Sequence, residues 1–181
     1  MRAASLRLLM IGCLVLLWPN CPGARSSRLW GEAFSRTAAE TTAPLAIVVS
    51  RSNPVDAVSF ADLKRIFLGN RTYWPNGRRI TILMREPCDP ERNFVLHGIC
   101  GMSEEQFKTH FLHGLYTGEI LVSPKILDAS AGVKKFIFNV PGAIGYLPLD
   151  ELDDSVKVLR IDERLPGEKG YRLRFSLQTD N

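Results

Sequence analysis

One stretch of the chain, residues 79–102, changes its apolar spacing halfway and so constrains the fold more than any other. Its first half, 80–84, is a short apolar run typical of a strand buried on both faces. After Arg85 the chain turns polar, and beyond Pro90 the apolar residues follow helical spacing. Asp89 suits the N-cap of this helix, and Pro90 suits its first position. The stretch therefore predicts a strand, a short loop and a helix, with Arg85 where the strand ends.

This strand–loop–helix unit favours the binding of an anion. The N-terminus of a helix presents free backbone N–H groups and the positive end of the helix dipole. Arg85 would add a full positive charge beside it. An ordinary strand–helix connection has the same pattern, so both interpretations remain open at this point.

The remainder of the chain alternates apolar runs with helical patterns, which predicts an α/β domain. We expect strands at 45–49, 80–84, 143–147, 156–161 and, at an edge, 171–177, with helices starting near Ser59, Pro90, Ser103 and Ala131, the last capped by Asp128 or Ser130. Such alternation is typical of a largely parallel sheet covered by helices on both faces. We therefore expect a single three-layer αβα lobe.

Residues 1–24 have the pattern of an export signal. Arg2 and Arg7 precede an apolar run of only 11 residues at 8–18, which is too short to span a bilayer. Attachment of a lipid at Cys21 is an alternative, although the residues before Cys21 are not the small ones expected. We expect a periplasmic or secreted protein.

The expected division of the chain has four parts: a signal at 1–24, a mobile segment at 25–44, a domain at 45–161 and a charged tail at 162–181. The formal charge of +4 falls to +2 once the two arginines of the signal are removed. So low a charge does not indicate a nucleic-acid partner.

Two cysteines, Cys88 and Cys100, remain beyond the signal, and an oxidising compartment favours a disulfide between them. A helix from Pro90 to Cys100 rises about 15 Å, and Cys88 can fold back only about 7 Å. About 8 Å would remain, which exceeds the usual Cα limit of about 7 Å. The helix and the disulfide exclude each other, and the apolar spacing favours the helix.

Histidines and aromatic residues allow two further interpretations. His97, His110 and His113 could suggest a metal site, but no cysteine or carboxylate stands beside them at ligand spacing. Tyr73 and Trp74 lie among arginines and could stack on single-stranded nucleic acid. The low charge favours instead an aromatic plug beneath a loop.

The chain also shows no set of residues that would make an enzyme. No nucleophile, base and orienting group can be assembled, and no glycine-rich phosphate loop is present. A pairing of Cys88 or Cys100 with His97 would have no third group to orient it. We expect no catalytic residues, no metal and no cofactor.

Four segments of the chain resemble the second lobe of the phosphate-type periplasmic solute-binding proteins of ABC transporters. They are LAIVVSRSNPV at 45–55, SFADLKRIFLGNRTYWPNGRRI at 59–80, the strand–arginine–helix unit at 80–100 with GMSEEQF after it, and NVPGAIGYL at 139–147. Short stand-alone proteins of this type match in length too. The resemblance implies a three-layer αβα lobe and a non-enzymatic protein that binds a small anion such as phosphate.

The same resemblance suggests which residues would hold the anion. It places Arg85 where the family has an arginine in its second lobe. Asp89-Pro90-Glu91 falls where phosphate binders have a Ser-Gly-Thr-like turn. The candidate ligand-binding residues are Arg85, Asp89, Glu91, Arg92 and Ser50.

The chain differs from the family in two respects. Full-length members close two lobes on the anion, and here we expect no first lobe, because only about twenty residues (25–44) precede the first strand. Carboxylates also replace hydroxyl groups in the loop, and they repel an anion. Arg85 could instead pair with Glu86, Asp89 or Glu91.

The resemblance and these differences lead to two alternative functions. The first is an exported module that binds phosphate or another small oxyanion in transport or sensing, alone, with a partner or with a second copy. The alternative is a lobe without a ligand that acts in the cell envelope by sensing or by docking onto another protein.

Overall fold

The computed structural model describes residues 42–176, which fold around a six-stranded sheet beside a two-stranded one. The strands are β1 (Thr42–Ser50), β2 (Ala57–Val58), β3 (Thr81–Arg85), β4 (Lys125–Leu127), β5 (Ala143–Pro148), β6 (Val156–Val158), β7 (Arg160–Ile161) and β8 (Arg174–Ser176). The α-helices are α1 (Phe60–Phe67), α2 (Pro90–Phe94), α3 (Glu104–Thr117) and α4 (Ser130–Asn139). A π-helical segment (Val95–Cys100) continues α2, and a 3₁₀ turn (Leu149–Glu151) follows β5.

The main sheet has the strand order β4-β3-β5-β1-β6, with β8 also paired to β1. β3 is parallel to β4 and β5, whereas β1 is antiparallel to β5, β6 and β8. Five of these six strands therefore run in one direction, and β1 runs against them. The prediction of a largely parallel sheet is confirmed, with β1 as the exception.

Helices pack on both faces of this sheet. On one face, buried residues of α1, the π-helical segment and α3, including Phe67, Leu96 and Phe107, form the larger core. On the other face, Val133 and Ile137 of α4 pack against residues of β1, β3 and β5. The predicted α/β class and three-layer αβα arrangement are confirmed.

The two ends of the described chain differ from the sequence-based division. β1 begins at Thr42, inside the segment expected to be mobile, because residues 42–44 pair with β8. Tyr171, Leu173 and Phe175 are buried, so this part of the expected tail belongs to the core. The predicted edge strand is confirmed over 174–176. Residues 1–41 and 177–181, which include the expected signal, lie outside the described residues.

Three local predictions were wrong. The expected strand at 156–161 is split into β6 and β7, and β7 pairs with β2 in the smaller sheet. β4 lies where no strand was predicted. The N-cap of α4 is Ala129, without a side-chain cap, and not Asp128 or Ser130.

The described helices include none that is both long enough and apolar enough to cross a bilayer.

Candidate functional site

The loop from Arg85 to Glu91 is built by local sequence chemistry, as predicted. Asp89 is the N-cap of α2, and Pro90 occupies the first turn. The Asp89 Oδ1 accepts hydrogen bonds from the backbone N–H groups of Glu91 at 3.0 Å and Arg92 at 3.3 Å. These are the donors that an anion at this helix end would need, so Asp89 already satisfies them.

Arg85 lies between two carboxylates at the end of β3. Its Nε is 3.1 Å from Asp89 Oδ2 and 3.4 Å from Glu91 Oε2. Only 13% of the Arg85 side chain is exposed, and Glu91 is buried. Among the described residues, the buried Arg85 Nη1 has no hydrogen-bond partner. The ion pairs that the sequence offered as an alternative are therefore present, and they involve Nε but not the buried Nη1 of Arg85.

Burial gives Glu91 an unusual affinity for a proton. Desolvation, and then the negative charge of Asp89, raise the pKa of Glu91 to about 7, although the nearby Arg85 opposes the shift. Glu91 is therefore partly protonated near neutral pH. The protonated carboxyl group carries no negative charge, and its O–H group can donate a hydrogen bond.

All three side-chain nitrogens of Arg92 donate hydrogen bonds to other residues of the protein. Its Nε and Nη2 donate to the two carboxylate oxygens of Glu104 at 2.8 and 2.9 Å, and its Nη1 donates to the carbonyl oxygen of Arg85 at 2.6 Å. The hydrogen bond from Arg92 lowers the pKa of Glu104. Arg92 thus ties the end of β3 to α3, and its role as an anion ligand stays a prediction.

Ser50 lies at the opposite end of the sheet from Arg85. Val49 pairs with Ile144, which in turn pairs with Ile82, so Ser50 lies near the start of β3. About four residues of strand, roughly 13 Å, separate that level from Arg85. The structure therefore does not bring Ser50 to Arg85, and the Ser50 Oγ is 3.0 Å from that of Ser52.

Tyr146 is the member of this cluster that the sequence did not identify. Its hydroxyl accepts a hydrogen bond from the backbone N–H of Arg85 at 2.8 Å. The ring is buried in β5, and desolvation raises the pKa of the phenol. The only signal in the sequence is a tyrosine inside the apolar run AIGYL, which also fits an ordinary core residue.

The other candidate residues do not join this site. Trp74 is buried and its Nε1 donates to the carbonyl oxygen of Gly142 at 3.1 Å, which confirms an aromatic plug, whereas Tyr73 is exposed. The Nε2 of His110 is 2.9 Å from the carbonyl oxygen of Leu68. Cys88 is an exposed free thiol and Cys100 a buried one. Over 42–176, no group of three or more His, Cys, Asp or Glu residues could hold a metal ion.

No family model matches the chain. An ABC-type phosphate transport receptor from Vibrio cholerae has the same fold over 75% of this chain and 55% of the receptor, with 20% identity and a TM-score of 0.60. A putative phosphate ABC transporter substrate-binding protein from Clostridium perfringens, solved with bound phosphate, matches over 74% and 53%, with 22% identity and a TM-score of 0.61. PstS from Borrelia burgdorferi matches over 75% and 55%, with 12% identity and a TM-score of 0.60.

The chain spans just over half the length of these three proteins. The resemblance to phosphate-type periplasmic binding proteins is confirmed at the level of the fold. The Vibrio cholerae protein is a phosphate transport receptor, and the Clostridium perfringens protein is a putative substrate-binding protein.

Proposed function

We propose that this chain is an exported, non-enzymatic module of the solute-binding-protein type, which binds phosphate or a similar small oxyanion at Arg85 in transport or sensing. The observation that carries the proposal is the Arg85 Nη1, which is buried at the end of β3 without a hydrogen-bond partner among the described residues. A buried guanidinium nitrogen gains free energy from a charged acceptor, and an oxyanion supplies one.

The neighbouring carboxylates determine when the anion binds. Asp89 and Glu91 together offset the charge of Arg85, so the fully ionised cluster repels an anion. Protonation of Glu91 leaves one negative charge against one positive charge, and its O–H can donate to the anion. The anion is therefore bound by side chains rather than by the N–H groups of α2, and it binds better as the pH falls through about 7.

Two further observations support the role as an exported binding module. The sequence of residues 1–24 has the order of a basic start and an apolar run that export signals share. Two of the solved proteins of the same fold are a phosphate transport receptor and a putative phosphate transporter substrate-binding protein. Phosphate is accordingly the first anion to test.

Calorimetric titration with phosphate at mildly acidic pH tests the role of Arg85. We expect the purified protein to bind, Arg85→Ala to lose binding, and Arg78→Ala, which removes an exposed arginine of the loop before β3 at the other end of that strand, to bind as the wild type does. Melting curves show whether each variant is folded. Equal affinity in folded Arg85→Ala would remove Arg85 from the site. The absence of binding to the wild type would favour the ligand-free interaction lobe.

A further inference from the structure

One stretch of the molecule, from the second half of α1 to the start of β3, concentrates positive charge. The sequence at 63–80 contains five basic residues and no acidic one, so this stretch alone carries a formal charge of +5. The whole chain carries only +4. The five residues are Lys64, Arg65, Arg71, Arg78 and Arg79. So uneven a distribution favours contact with an anionic surface or molecule.

Residues 72–80 of this stretch form a small hairpin. The backbone N–H of Trp74 donates to the carbonyl oxygen of Arg78 at 2.8 Å. Tyr73 and Arg79 pair across the hairpin, so their side chains share one face. Trp74, the next residue, is buried on the opposite face, where its ring holds the hairpin against the core. The hairpin therefore presents Tyr73 and Arg79 to the outside.

Two aliphatic side chains lie beside this hairpin. Leu121 and Val122, in the segment between α3 and β4, are 58% and 42% exposed. They line one small cavity together with Arg71 and Arg79. Tyr73, which faces Arg79, is 51% exposed. Exposed apolar side chains thus lie among arginines, in what we call the hairpin patch: Arg71, Tyr73, Arg78, Arg79, Leu121 and Val122.

Carboxylates neutralise the hairpin patch only in part. Asp62 lies 3.2 Å from Arg71, at the edge of the patch. Among the described residues, neither Arg78 nor Arg79 forms an ion pair, and both are exposed. Glu119 is near in sequence to the two aliphatic residues, but it lines a separate cavity. The patch therefore keeps a net positive charge.

We propose that the hairpin patch binds the surface of an anionic lipid bilayer. A bilayer places headgroup phosphates directly above its hydrocarbon, so a patch of arginines and aliphatic side chains meets both at once. A tyrosine suits this boundary, because its ring is apolar and its hydroxyl is polar. Single-stranded nucleic acid binds instead on aromatic platforms, and Tyr73 is the one aromatic residue of the patch. The bilayer surface therefore matches both the charge and the apolar content of the patch.

Co-sedimentation of the purified protein with lipid vesicles tests this binding. We expect binding to vesicles of equal parts phosphatidylglycerol and phosphatidylcholine, weaker binding at high salt, and none to phosphatidylcholine alone. Arg79→Ala should weaken binding by about fivefold, and Leu121→Ser by about tenfold. The matched controls are Arg160→Ala in β7 and Leu112→Ser in α3, because both residues are exposed outside the patch. They should have little effect.

Arg85→Ala distinguishes this surface from the proposed oxyanion site. Arg85 ends β3, whereas the hairpin precedes the start of that strand. Arg85→Ala should therefore lose phosphate binding and keep vesicle binding, so that either proposal can fail without the other. Loss of vesicle binding in folded Arg85→Ala would assign the headgroup contact to Arg85 and overturn the role of the hairpin patch.

Fluorescence keeps the proposal testable if Leu121→Ser does not fold. Relative to the wild type, Leu121→Trp should show a blue shift of its emission with the anionic vesicles, and Leu112→Trp should not. A wild-type protein that binds neither kind of vesicle, or both kinds equally, would overturn the proposal. So would Arg79→Ala and Leu121→Ser variants that bind as the controls do. Binding of poly-L-glutamate without binding of vesicles would overturn it in favour of an acidic protein partner.

Discussion

The backbone N–H of Arg85 donates a hydrogen bond to the hydroxyl of Tyr146 at 2.8 Å, although 61 residues separate them. The bond fixes the last residue of β3 against β5, at the point where the two strands reach the candidate site. It holds the backbone of Arg85 in place while the guanidinium reaches the carboxylates of the loop.

Removal of the Tyr146 hydroxyl should destabilise the protein, although the change removes a single oxygen atom. Tyr146→Phe leaves the Arg85 N–H without its partner, so we expect the free energy of unfolding to fall by about 1–3 kcal/mol. Tyr73→Phe removes a hydroxyl from a side chain that is 51% exposed and should have almost no effect. Urea denaturation measures both, and equal stabilities of the two variants would contradict the role of the Tyr146 bond.

Glu91 should make stability depend on pH. Its pKa in the folded protein is raised to about 7, so the native state holds the proton more tightly than the unfolded chain does. The stability from this proton is fully present below about pH 4.5 and is lost as the pH rises through about 7. The loss is on the order of 3 kcal/mol.

Replacing Glu91 by glutamine removes this titration. Relative to the wild type, Glu91→Gln should therefore gain stability as the pH rises from about 5 to about 8. The measurement is the melting temperature of both proteins across that range. A constant difference at every pH would show that Glu91 does not titrate differently in the folded protein.

Arg92 should matter for stability rather than for binding specificity. Only 3% of its side chain is exposed, and Arg92→Ala removes the two hydrogen bonds to Glu104 and the donor to the Arg85 carbonyl. We expect a loss of about 3 kcal/mol or more in the free energy of unfolding. The control is Arg65→Ala, which breaks a 3.7 Å surface pair with Asp62 and should cost less than about 1 kcal/mol. Comparable losses in denaturant melts of the two variants would contradict this assignment.

Gly142 should not tolerate a side chain. A Cβ at this position would collide with the backbone carbonyl oxygen of Arg79, and the carbonyl of Gly142 accepts the Trp74 hydrogen bond. Gly142→Ala should destabilise the protein by about 1–3 kcal/mol. In α4, by contrast, a Cβ on Gly132 would meet nothing nearer than 3.9 Å, so Gly132→Ala should stabilise by up to about 1 kcal/mol. Thermal melting compares the two, and a neutral Gly142→Ala would show that the backbone there can move.

Local chemistry made part of this structure predictable. The caps at Ser59, Asp89 and Ser103 rest on residues two or three positions away, and all three are present. The apolar runs likewise located the strands that are buried on both faces. Structural features that depend on residues within one helical turn of each other can be predicted from a single sequence.

Features that depend on distant neighbours were not predictable. The apolar run LAIVV predicts a strand but not the direction of that strand in the sheet. The antiparallel orientation of β1 was therefore not predicted, and neither was the distance between Ser50 and Arg85. The ion pair of Arg92 with Glu104 was not predicted, because Glu104 lies on another helix. The apolar run around Tyr146 indicated only a core residue. Its hydrogen bond joins β5 to β3, and a contact between strands cannot be predicted from that run.

The most direct test of the account is thermal melting of the purified protein with phosphate and sulfate, at constant ionic strength and at about pH 6 and about pH 8. Sulfate keeps its charge over this range, so it separates the titration of Glu91 from that of phosphate. We predict a saturable rise in melting temperature that is larger at the lower pH and absent in Arg85→Ala. With sulfate, this rise should be insensitive to pH in Glu91→Gln. A well-folded protein whose melting temperature responds to neither anion at either pH would contradict an oxyanion site at Arg85.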